Sequence, residues 1–435
     1  MVWLVCTVGL LLGLPAIGRA EEAEPVMSAA DTTWMLISTA LVLFMTPGLA
    51  LFYGGMVRKK NVLGTMMHSF FAMALVPVLW MAVGYSLAFG TDIGGVIGGL
   101  DYLFLSGISP DDLNGSTYPH LIFIAFQGMF AVITPALVAG AYAERIKFIS
   151  YALFTGLWLL LVYAPICHWV WGSGGWLFEK GALDFAGGTV VHMSAGFSAL
   201  AFAIVLGKRR GYGTTNMSPH NLSLTLTGVG MLWFGWFGFN AGSALAASAT
   251  AGLAFLTTFL CPAAAGLSWS IAEWIRTGKP TALGVSSGIV AGLVAITPAA
   301  GFVGPGSAVI MGLIAGVVCY AAVLMKGPLG YDDSLDAFGV HGVGGMLGAL
   351  LTGVFASWAG WGDPVESLLF HSDMGAALAQ FSVQVISVIA TAVYSIVVTL
   401  VILMVVKAIV GLRVEDQVEL EGLDLSQHGE ANYHF

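Results

Sequence analysis

The sequence predicts an all-α integral membrane protein of eleven transmembrane helices, and three observations carry that expectation. Of 435 residues, 58% are hydrophobic and 9% charged, whereas soluble domains carry about 25% charged residues. Apolar runs long enough to cross ~30 Å of hydrocarbon recur along the chain. The basic residues fall almost entirely into alternate connections between those runs, as the positive-inside rule requires.

Taken in order, residues 1–20, "MVWLVCTVGLLLGLPAIGRA", read as a signal peptide. They have an apolar centre of suitable length, with Gly18 and Ala20 as the small residues before a cleavage site, although Arg19 is the first basic residue. Spans follow near 32–54, 62–89, 120–142, 149–171, 187–207, 222–244, 250–272, 282–298, 305–325, 338–358 and 374–406. The run near 282–298 is the shortest and is rich in glycine. Residues 30–410 thus form a transmembrane domain and 411–435 a polar tail. The four cysteines (Cys6, Cys167, Cys261, Cys319) lie in separate apolar stretches and read as small hydrophobes.

Thirteen of the fifteen Lys and Arg lie after spans 1, 3, 5, 7 and 9 or in the tail; Arg19 and Lys180 are the exceptions. The mature N-terminus is therefore expected outside and the C-terminus in the cytoplasm, which needs an odd number of spans. Ionisable groups at membrane depth cost ~2.5–3.5 kcal/mol on insertion scales and mark function when present. Two such residues, His192 in span 5 and His341 in span 10, are 149 residues apart and lie in Gly-rich stretches, "HMSAG" and "HGVGG". Spans 1–5 and 6–10 then form two five-helix halves of opposite orientation, a transporter plan that places working residues at the interface of the repeats.

Five segments carry a family likeness: "TPGLALFYGGMVRKKNVL" (46–63), "ITPALVAGAYAERIKF" (133–148), "GALDFAGGTVVH" (181–192), "GWFGFNAGSA" (235–244) and "FGVHGVGG" (338–345). In order and over essentially all of 30–435, they strongly resemble the ammonium transporter (Amt/Mep/Rh) family, on its bacterial Amt branch. The resemblance implies a homotrimer in the bacterial inner (plasma) membrane, with one narrow pore per subunit and no cofactor. It places an outer cation-recruitment site at Trp171, Phe130 and Ser243, and a gate of stacked rings at Phe130 and Phe239. It makes His192 and His341 the pore pair and Asp184 the family's buried acid; Phe126 and Trp236 also fall on motif positions. The tail, with "EGLD" and "HGE", resembles the family's regulatory segment. That implies docking on the inner faces of neighbouring subunits and control by a PII-family protein.

The residue types have a physical reading of their own. An aromatic box with a hydroxyl holds a partly dehydrated cation by cation–π attraction, worth up to ~2 kcal/mol when desolvated. Taken alone, Trp171 fits an interfacial belt, Phe130 ordinary packing and Ser243 a helix–helix hydrogen bond equally well. Asp184 stands before span 5 either as a plain helix cap or as a carboxylate that also attracts cations. A pair of neutral imidazoles offers a lone pair and a donor in an apolar lumen and relays a proton, whereas a single one reads equally as a structural histidine. His68, His120 and His168 read as packing residues, and no His or Cys spacing supports a metal site.

The function classes narrow accordingly. No nucleophile or metal constellation supports an enzyme, and no TVGYG-type filter supports a potassium channel. Transport of ammonium is the expectation, and an ammonium sensor signalling through the tail is the alternative.

Overall fold

The computed structural model describes residues 26–357 and 365–433. The expected signal peptide lies outside the described residues. Helices occupy all eleven anticipated positions: α1 (Ala29–Met56), α2 (Val62–Phe89), α3 (His120–Tyr142), α4 (Phe148–Trp158 continuing to Trp171), α5 (Gly188–Leu206), α6 (Leu222–Gly242), α7 (Ala249–Thr277), α8 (Ala282–Ile296), α9 (Pro305–Leu329), α10 (Phe338–Phe355) and α11 (Met374–Val410). Ten are long and apolar enough to cross a membrane. Helix α8 is the exception: its 15 residues span only ~22 Å at 1.5 Å per residue. It ends where Thr297 to Val303 coil into tight turns, closed by bonds such as Val303 N to Ala299 O at 3.1 Å. The protein is a multi-span membrane protein.

Side chains set the helix starts. Ser28 accepts from Asp31 N at 3.2 Å, Asn221 from Leu224 N at 3.2 Å and Thr281 from Gly284 N at 2.9 Å, each satisfying an amide that the helix itself leaves open. Four helices contain a π-helical turn: Trp80–Gly84 in α2, Leu159–Tyr163 in α4, Gly188–Met193 in α5 and Phe338–Gly342 in α10. Such turns widen a helix locally and recur at functional sites. The last two contain His192 and His341. A side chain at Gly196 of α5 would run into the Gly342 backbone of α10, so this crossing is open only to glycine.

A small two-stranded hairpin, β1 (Asp92–Ile93) with β2 (Ile97–Gly98), covers one end of the bundle. The other end is held by buried charge. Glu144 is fully buried and meets Arg58 and Arg209, each at 3.0 Å; Arg209 also meets Asp332 at 2.9 Å. Burial acts to raise the Glu144 pKa, but the Arg209 and Arg58 guanidinium groups hold it below the usual carboxylate range. Arg145 donates to Asp332 O at 2.7 Å and Gly207 O at 3.0 Å.

The tail folds onto the same end as α12 (Asp416–Glu421) and α13 (Leu423–His428). Asp424 accepts from Val62 N at 2.9 Å and Gly64 N at 2.8 Å, capping α2 from a distance in sequence. Arg413 bonds Glu419 at 2.7 Å, and Gln427 accepts from Phe148 N at 2.8 Å. The tail therefore docks on the α1–α2, α3–α4 and α5–α6 connections of its own chain.

Candidate transport pore

Six of the seven residues singled out from the sequence form one column through the bundle, and Asp184 stands beside it. Phe130 (α3) and Phe239 (α6) lie face to face, with centroids 4.2 Å apart and planes at 33°. Both are essentially inaccessible, at 1% and 0% exposure, so the stack closes the column. Trp171, the last residue of α4, stands edge-on to Phe130 at 5.9 Å and 90°. Ser243 caps α6 and donates its hydroxyl to Phe239 O at 2.8 Å. Phe126 supports Phe130 edge-on at 4.9 Å.

Asp184 does not face the column. Its Oδ1 accepts from Gly187 N at 2.9 Å and Gly188 N at 2.6 Å, and its Oδ2 from Thr189 N at 2.8 Å and Val190 N at 3.2 Å. The Thr189 hydroxyl also donates to Oδ2. Burial pushes the carboxyl up and these donors pull it back, leaving it raised overall. Five donors leave no acceptor for an acid proton, so the carboxylate is the form the site fits. Gly187 adopts φ 110, a left-handed conformation that glycine takes without penalty. The main-chain carbonyl of Asp184 accepts the Trp171 Nε1–H at 2.9 Å. The acid thus fixes the start of α5 and, through its backbone, the orientation of Trp171.

Beyond the phenylalanine stack lies a narrow cavity of about 10 Å³. Met45, Leu49 and Phe52 of α1, Ile133 and Leu137 of α3 and Leu232 of α6 supply much of its apolar wall. The ionisable groups on that wall are His192 and His341. Their Nδ1 atoms are 3.3 Å apart and their rings lie nearly parallel at 21°. One Nδ1 therefore donates and the other accepts a single shared proton. His192 Nε2 is buried without a hydrogen-bond partner. Trp236 stacks on His192 at 5.4 Å and 24°, held by its Nε1–H bond to Thr297 Oγ1 at 3.0 Å. Its place in the wall is a role that sequence reasoning left open.

His68, His120 and His168 lie away from this cavity. His68 lies among rings, with Tyr151 at 4.5 Å. His120 meets Tyr85 Oη at 2.5 Å, and His168 reaches Asp92 at 2.9 Å.

Comparison with known proteins agrees with this architecture. The model of the Ammonium Transporter Family matches residues 33–433. The chain is 49% identical over 431 residues to an ammonium transporter of Aquifex aeolicus, covering 98% of each. It is 48% identical to ammonium transporter Amt1 of Archaeoglobus fulgidus, covering 94% of this chain and 100% of that one. Among solved structures, Mep2 of Saccharomyces cerevisiae superposes with a TM-score of 0.83 at 37% identity, covering 89% and 88% of the two chains. By sequence and by fold, this chain belongs to the ammonium transporter family.

Proposed function

We propose that this protein carries ammonium selectively into the cell, moving ammonia and its proton by separate routes. The carrying observation is the closed apolar cavity whose ionisable groups are two hydrogen-bonded imidazoles. Ammonium and potassium are of similar size, so a rigid hole cannot separate them; only ammonium can give up a proton. The cation is recruited by Trp171, Phe130 and Ser243, where cation–π attraction supplies up to ~2 kcal/mol. Deprotonated near the Phe130–Phe239 gate, it continues as ammonia past the apolar wall. The proton follows the His192–His341 pair, and potassium, with no proton to lose, is refused by the dry passage. Asp184 shapes the recruitment site and adds long-range attraction for cations.

In this reading all eleven helices cross the bacterial plasma membrane as a homotrimer with one pore per subunit. The mature N-terminus is outside, and the basic connections, with the tail, are cytoplasmic. The tail conveys the state of the inner face between neighbouring subunits, and a PII-family protein is the expected regulatory partner there. Removing residues after Val414 deletes Glu419, Asp424 and Gln427, the partners of Arg413, α2 and α4. Ammonium transport by that variant is expected to drop severalfold; transport at the full rate would rule out coupling through the tail.

The test of the main reading uses purified protein in liposomes. An ammonium pulse is expected to evoke a current and a potassium pulse none. Alkalinisation of the lumen without current would mean net passage of neutral ammonia. Absence of both signals from folded, trimeric protein would overturn the transport reading.

A further inference from the structure

The segments leading into the two pore histidines are built alike. An aspartate stands eight residues before each histidine: Asp184 before His192 and Asp333 before His341. Three residues past each aspartate the backbone turns left-handed, at Gly187 (φ 110) and Asp336 (φ 62). A π-helical turn follows in both cases and contains the histidine. In the inverted plan these are matching positions on opposite sides of the membrane.

The two carboxylates differ in one respect. Both oxygens of Asp184 are occupied, by five donors. Asp333, 1% exposed, uses Oδ2 to accept from Phe338 N at 2.7 Å, while its Oδ1 is buried without a partner. Lys326 does not fill that vacancy, because its ammonium binds the Asp333 main-chain carbonyl at 3.2 Å and the Asp336 carboxylate. A buried oxygen left open beside an available cation is costly unless it has a use. The segment that carries it packs against the helices that wall the column. Leu335 N bonds Gly140 O at 2.9 Å, and a side chain at Gly140 would lie 3.0 Å from Ala337 Cβ and 2.9 Å from the Tyr53 hydroxyl. Tyr53 in turn donates to the carbonyl of Leu137, a wall residue of the cavity, at 3.1 Å.

Resting on the transport reading above, we propose that Asp333 is the proton-exchange group at the inner end of the pore. The proton leaving His341 is taken up at Oδ1. Ammonia emerging from the cavity then removes it: the acid O–H bond breaks, the ammonia lone pair forms the new N–H bond, and ammonium and carboxylate result. The next proton from the histidine pair restores the acid. Burial and the neighbouring Asp336 raise this carboxyl to about 6, against Lys326 and the Phe338 and Ala337 amides, which suits exchange near neutral pH. The other charged or titratable groups around it are the Lys326–Asp336 pair, Asp332 with Arg209 and Arg145, and the phenols of Tyr53 and Tyr331.

Asp333→Asn keeps an acceptor for Phe338 N–H and the volume of the side chain, but it cannot exchange a proton. In liposomes the variant is expected to melt within a few degrees of wild type and to lose the ammonium-evoked current by at least about ten-fold. Asp333→Glu is expected to restore much of that current, with the midpoint of its dependence on internal pH displaced. Wild-type current from Asp333→Asn overturns the proposal. Should that variant fail to fold, Asp333→Glu decides alone, because an unmoved internal-pH midpoint overturns the proposal equally. Absence of current from the wild type would instead count against the transport reading on which the proposal stands.

Discussion

Alanine at His192 or at His341 is expected to lower the selective ammonium current by about 100-fold, the scale of a lost acid–base group. The reason is the 3.3 Å contact between the two Nδ1 atoms. In the proposed relay the proton passes both rings, so one ring alone is not half a path. The effects are accordingly non-additive, and the double variant should be no worse than either single one. Both histidines line the narrow cavity and neither holds a helix start or an ion pair, so the variants are expected to fold. Solid-supported membrane currents with ammonium and potassium measure the outcome. Either single variant that kept ammonium-over-potassium selectivity would rule out the relay.

The second large effect is on stability. Asp184→Ala would strand four backbone amides and the Thr189 hydroxyl in a buried site. At ~1–3 kcal/mol for each buried group left unsatisfied, the loss is on the order of 5 kcal/mol or more. That is a large share of the ~5–15 kcal/mol by which folded proteins are stable, so little assembled protein should be recovered from the membrane. Asp184→Asn retains one acceptor oxygen but turns an NH₂ toward other donors, for an expected cost of ~2–3 kcal/mol. Its melting temperature in detergent should fall, and its apparent affinity for ammonium should weaken as the main-chain carbonyl that holds Trp171 shifts with the loosened start of α5. Near-normal uptake by well-folded Asp184→Asn protein would count against any electrostatic part for the carboxylate. A wild-type melting temperature for Asp184→Ala would remove the acid from its role at the start of α5.

What could be read in the sequence followed from rarity. Apolar runs of membrane length leave few alternatives, and all eleven anticipated positions are helical. The glycine-rich eighth run was the poorest fit to a membrane-length helix, and it is there that the helix is short, because the chain turns after Ile296. His192 and His341 stood out because imidazoles are costly among apolar neighbours. Phe130, Phe239, Trp171 and Ser243 did not stand out as residue types; the family likeness singled them out. Met45, Leu49 and Phe52 were invisible as pore wall, because an apolar stripe facing a cavity has the same helical spacing as one facing a core. Glu144, Arg209 and Asp332 were hidden for another reason. Their pairing joins residues 65 and 123 positions apart, and the basic member had already served as a sign of orientation.

The ion cluster of Glu144, Arg209 and Asp332 also constrains how the protein can be made. The chain emerges from the ribosome at ~5–20 residues per second, so Arg209 waits ~6–25 s for Asp332 to follow. During that interval Glu144 is its available partner, and the first half of the bundle carries an arginine whose second carboxylate does not yet exist. The ion cluster at this end therefore stays incomplete until residues beyond α9 are made. A chain interrupted before Asp332 would present an incompletely paired cluster.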